Sequence, residues 1–204
     1  MTTVVIAGIP VPSSSPLFLA VVGMHVAFGV VAVAAGALAM LSAKRPGRHP
    51  RAGTVYFWSL AGLFVTASGL AAVRWREDWR LFLLALIAFA AALVGRIARR
   101  RLRPGWPAPH ILGMGVSYIA MLTAFYVDNG PNLPVWRDLP HLAYWLLPSL
   151  LGAPVIALAL GRHPIARAAR RAMQPGGRGP ARGTVGRSFA LAFAASQNTG
   201  MRTG

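Results

Sequence analysis

The chain has 204 residues, of which 55% are hydrophobic and 12% charged, with a mean hydropathy of +0.54 and a formal net charge of +17. Soluble domains carry about a quarter charged residues, so this composition excludes an ordinary water-soluble domain and implies an all-α integral membrane protein. The absence of cysteine excludes disulfides, thiolate metal sites and a cysteine nucleophile.

The first 43 residues contain no Lys or Arg, so the basic n-region of a secretory signal peptide is missing. Residues 1–16 are read as an extracytoplasmic lead. A membrane helix needs roughly 20 apolar residues, and five segments meet that length. Span one is expected over 17–41, ending at Lys44. Span two is expected over 53–73, after the polar stretch "GRHPRA", which reads as a loop. The short loop "RWREDW" follows, with Trp75 and Trp79 suited to an interfacial belt. Span three is expected over 80–98 and span four over 109–127. The long loop "DNGPNLPVWRDLP" comes next, where Asp128 and Asp138 could cap helices. Span five is expected over 141–160, with kinks at Pro148 and Pro154. The bundle thus covers 17–160, and residues 161–204, rich in Arg, Gly, Pro and Ala, read as a disordered basic cytoplasmic tail.

Charge supports this arrangement. Lys44, Arg45, Arg48 and Arg51 form one basic cluster, and Arg96, Arg99, Arg100, Arg101 and Arg103 form a second. Eight further arginines follow Gly161, so 17 of the 21 cationic residues lie in three segments separated by pairs of spans. All four acidic residues, Glu77, Asp78, Asp128 and Asp138, fall in the alternate loops. The positive-inside bias gives an N-out, C-in multi-pass protein of a bacterial inner membrane. Anionic lipid headgroups are the expected partners of the basic loops, and no nucleic acid is needed to explain the charge.

The residues that carry chemistry are histidines. His25 heads a face with Gly29, Ala32 and Gly36, and His110 heads one with Gly113, Ser117, Ala120 and Ala124. From His141 the same face carries Trp145, Pro148 and Gly152. Span two carries Ser59, Gly62, Thr66 and Gly69 in register, with His49 just before it. Such stripes serve close helix packing in lipid, or they receive a flat cofactor whose metal the histidine ligates. Counting residues to the inner boundary sorts the histidines into an outer pair, His25 and His141, and an inner pair, His49 and His110. His163, in the tail, has no such partner. Bis-histidine ligation of haem b needs two imidazoles at matched depth, so two sites at most are expected, with the outer pair the favoured one. Haem iron would make the protein an electron carrier rather than an enzyme.

The alternative is a small transporter or channel subunit in a homo-oligomer, with His25 as a gating or proton-linked residue, or a structural partner of a membrane complex. No carboxylate lies within an expected span, and no G-x-S-x-G, H-E-x-x-H or phosphate-binding loop is present.

The segment "MHVAFGVVAVAAGALAML" resembles the H-x-x-x-G first span of a family of uncharacterised bacterial multi-span membrane proteins, a domain of unknown function. "HPRAGTVYFW" is similar to that family's H-x-x-x-G-x-x-Y element, here His49, Gly53 and Tyr56. The resemblance spans about residues 17–160 and implies no activity. The placement of the histidines is also similar, more weakly, to the di-haem b-type membrane cytochromes.

Overall fold

The computed structural model describes residues 4–6, 9–11, 15–44, 46–102 and 105–162. Five helices dominate: α1 (Pro16–Leu41), α2 (Arg48–Val73), α3 (Trp75–Arg101), α4 (Pro107–Asn129) and α5 (His141–Arg162). All five are long and apolar enough to cross a membrane. Ahead of the helices, β1 (Val4–Ile6) and β2 (Ile9–Val11) pair as a small antiparallel hairpin. The tail from residue 163, His163 included, lies outside the described residues.

The helices are longer than the apolar runs that announce them, and the extensions have local causes. Ser15 caps α1, accepting the Phe18 N–H at 3.2 Å, with Pro16 behind it. The polar stretch expected to be a loop before span two forms the first turn of α2. Pro50 is tolerated there because first-turn N–H groups have no intrahelical partner. His49 is therefore a helical residue. The "RWREDW" loop is likewise helical: the chain breaks only at Arg74, and Glu77 and Asp78 occupy the first turn of α3, where the helix dipole favours negative charge. At the other end of that helix, Arg99, Arg100 and Arg101 form its last turn. Gly47 lies at φ +121 and Gly105 at φ +81, backbone that a residue with a Cβ adopts only at a cost. They turn the chain into α2 and into α4.

Neither acidic residue of the long loop caps a helix. Asp128 lies in the last turn of α4 and accepts from Asn129 Nδ2 at 3.3 Å, and Asp138 pairs with Arg137 at 3.8 Å. A 3-10 turn over Gly130–Asn132 follows α4.

Up-and-down connectivity brings Lys44, Arg48 and Arg51 to the same end of the bundle as Arg96, Arg99, Arg100 and Arg101. The closest helix partnerships are α1 with α2 and α3 with α4, with α2 also lying along α3. Tyr118 of α4 reaches α1, donating to Val33 O at 3.1 Å. Tyr56 of α2 and Ser117 of α4, both buried, share a hydrogen bond of 2.6 Å through the centre. Helix α5 sits outside this group of four. It touches α4 where Ile156 covers Gly115, Ile119 covers Gly152 and Tyr144 covers Gly130.

The stripes of small residues are packing surfaces here. Ala32, Ser59, Thr66, Ser117 and Ala120 are buried, Gly36 lies under Tyr118, and Gly62 lies under Phe28. The closest approach is between α3 and α4, where a Cβ on Gly113 would lie 2.6 Å from Ala91 O and 2.8 Å from Gly95 N. The α2–α3 seam is aromatic: Trp75, Phe82, Phe64, Phe89 and Phe57 follow one another at centroid distances of 5.1–6.2 Å. Its sequence signal is a seven-residue spacing, 75, 82 and 89 on α3 against 57 and 64 on α2.

Since the atoms facing Gly113 are backbone, they cannot swing away. Gly113→Ala is expected to destabilise the protein by about 2 kcal/mol in a reversible detergent unfolding titration. Gly69→Ala, which meets nothing within 4 Å, should be neutral or slightly stabilising.

Candidate functional site

At the basic end, the last turn of α1 exposes carbonyls that no intrahelical N–H can satisfy. Lys44 Nζ donates to Ala39 O at 2.9 Å and to Met40 O at 2.8 Å. His49 Nδ1–H donates to the same Ala39 O at 2.8 Å. The turn from α1 to α2 thus places a histidine across the end of α1. Partial burial draws the Lys44 ammonium below the usual lysine pKa.

On the other side of the bundle, Gly95 lets α4 approach α3 so closely that the His110 ring reaches its backbone. His110 Nδ1–H donates to Gly95 O at 2.9 Å. The two imidazoles meet with ring centroids 6.5 Å apart and planes at 88°. Trp106 packs on His110 at 5.9 Å, and the Arg99 guanidinium lies 4.7 Å over Trp106. Lys44 and Arg99 are within electrostatic range of His110.

A carbonyl only accepts, so in the neutral imidazole each Nδ1 carries the proton and each Nε2 keeps a lone pair. Among the described residues, neither Nε2 forms a hydrogen bond. A backbone carbonyl on Nδ1 is also what orients most metal-ligating histidines. The pair stands in register with the Tyr56–Ser117 bond, since both pairs are 61 positions apart in sequence. Helices α2 and α4 therefore run parallel, and the hydroxyl pair lies two turns above the imidazoles, about 10.5 Å along the helix. Between His49 and Tyr56 on the same face of α2 is Gly53, where an added Cβ would meet nothing within 4 Å.

The outer histidines are differently placed. His25 Nδ1 lies 3.0 Å from Thr66 Oγ1, and that hydroxyl lies 2.9 Å from Gly62 O. The same hydroxyl also lies 3.0 Å from Leu63 O, so its single proton serves either a carbonyl or the His25 ring. His141 is exposed at the start of α5, its ring 5.9 Å from that of Tyr144 one turn on. Among the described residues His25 and His141 share no contact, because α1 faces α2 and α5 lies outside α4.

The ligand inventory narrows the chemistry. Among the described residues no three His, Asp or Glu side chains converge on one point. A bare Zn²⁺ takes three or four protein ligands. Haem iron would need fewer protein ligands than a bare ion, and His49 and His110, each with an Nε2 that no described residue engages, would be the residues to hold it.

Sequence reasoning puts Lys44 in a basic cluster, Tyr56 in the second-span element and Ser117 on the His110 face without pairing any of them, and it does not single out Trp106. No family model, curated protein or solved structure matches the chain.

Nitrogen NMR of histidine-labelled protein should find the neutral rings of His49 and His110 in the Nδ1–H tautomer. The opposite tautomer at His49 or His110 would contradict the hydrogen bonding described.

Proposed function

We propose that this chain is a five-span protein of a bacterial inner membrane, N-terminus outside and basic end in the cytoplasm, that binds one haem b between His49 and His110 and acts as a one-electron carrier. The membrane part is supported by five helices of sufficient length and apolarity and by large apolar side chains on the outside of the bundle, such as Val30, Val65 and Leu150. The orientation is supported by the acidic residues at one end and the arginine clusters at the other.

The observation that carries the haem assignment is the His49–His110 pair itself. Two imidazoles from parallel helices are each fixed through Nδ1 to a backbone carbonyl, 6.5 Å apart, without a third ligand. His49 and His110 would hold the iron, and the bound haem would supply reversible one-electron exchange. Lys44 and Arg99 bring positive charge to an end of the bundle that has no carboxylate to balance it, which suits two propionates. Trp106 shields His110 from water, and the Tyr56–Ser117 bond holds the two helices at their spacing.

A second reading rests on His25. An ionisable side chain within a span, partnered by one hydroxyl, suits a proton-linked transporter.

The visible absorption spectrum of detergent-purified protein from haem-replete cells separates these readings. The expected result is a Soret band with a sharp alpha band on reduction. Both should be lost in His49→Ala and His110→Ala and retained in His25→Ala and His141→Ala. Gly53→Leu, one turn from His49 on the same face of α2, should lower haem content severalfold while preserving helicity. A featureless spectrum in the parent protein would overturn the haem assignment and leave the transport reading. Loss of haem in His25→Ala and His141→Ala alone would move the site to the outer pair.

A further inference from the structure

At the basic end of the aromatic seam, α2 and α3 line an open groove of about 330 Å³. Its walls are Phe57, Trp58, Ala61, Phe89 and Leu93, and Arg96 and Arg100 close one end. The Arg96 guanidinium sits 4.5 Å over the Phe57 ring and 6.0 Å over Trp58, so aromatic faces hold it at the groove. Arg100 follows one helical turn later, close enough for two guanidiniums to serve one anion. Among the described residues neither arginine forms a salt bridge. The acidic residues of the same helix, Glu77 and Asp78, stand at its far end, about 27 Å from Arg96.

An apolar channel that ends in two unpaired cations matches a molecule with an apolar chain and an anionic head. We infer that this groove is a binding site for one anionic phospholipid, its acyl chain along Phe57, Ala61, Phe89 and Leu93 and its phosphate on Arg96 and Arg100. A free phosphate would use the arginines and leave the apolar wall bare, and a zwitterionic lipid would bring its own cation to the same end. The site rests on the membrane reading and is independent of any haem. It differs from general attraction of basic loops to the membrane surface, because it specifies one lipid per chain and the residues that hold it.

Native mass spectrometry of the full-length protein, released from detergent with phosphatidylglycerol or phosphatidylcholine, tests this. One retained phosphatidylglycerol per chain is expected, with phosphatidylcholine lost under the same activation. Arg96→Gln or Arg100→Gln should each lower retention about fivefold. Ala61→Phe should also lower it, although both arginines remain, and Arg137→Gln at the far end should have no effect. Equal retention of the two lipids overturns the assignment, as does undiminished retention in the Arg96, Arg100 and Ala61 variants. Competition by inorganic phosphate at matched concentration would show an anion site without a lipid groove. A chain soluble without detergent would sink the membrane reading itself, whereas a detergent-requiring chain indifferent to phosphatidylglycerol sinks only the lipid site.

Discussion

A hydroxyl buried among apolar helices has few ways to satisfy its hydrogen-bonding capacity, and leaving it unpaired costs more than a typical hydrogen bond contributes. Tyr56 is 2% exposed and Ser117 fully buried, and each finds its partner in the other. That bond joins α2 to α4 across the middle of the group of four helices, where a purely apolar contact would fix neither rotation nor register. The packing around it fits the same register. Tyr118 covers Gly36 and bonds to Val33 O, and Gly95 admits α4 so closely that His110 reaches a carbonyl of α3. The meeting of His49 and His110 follows from the same register, two turns further down.

Much of this was legible in the chain. Five helices, their order and their approximate ends follow from apolar length and from the alternation of basic and acidic connections. The helices α2 and α3 begin earlier than their apolar runs, because the polar stretches before those runs are helical. "GRHPRA" is polar and contains proline, but the first turn of a helix tolerates both. The few residues gained there carry His49 onto a helix. "RWREDW" has four charged residues in six, and Glu77 and Asp78 in it favour a helix start.

Partner choice was the less legible part. Counting residues by depth put His49 level with His110 and His25 level with His141, and both inferences concern height alone. Small residues state that something comes close and leave its identity open. Gly113 could have faced any neighbour, and it faces Gly95. The shared offset of 61 in His49–His110 and Tyr56–Ser117 marks α2 and α4 as neighbours only once the fold is known, because other helix pairs repeat polar residues at a constant offset too. The exclusion of α5 from the central group has no comparable mark in its sequence, and that exclusion separates His141 from His25.

The Tyr56–Ser117 bond also has a place in time. A chain made at about 5–20 residues per second presents Ser117 roughly 3–12 s after Tyr56, since the two are 61 positions apart. Through that interval α2 has α1 to pack against, while its tyrosine hydroxyl lacks the partner it has in the finished bundle. A product truncated before α4 therefore carries an unpartnered hydroxyl on the inner face of its second helix. Completing the fourth helix supplies that partner, so one buried hydroxyl reports whether synthesis of the bundle has reached its fourth helix.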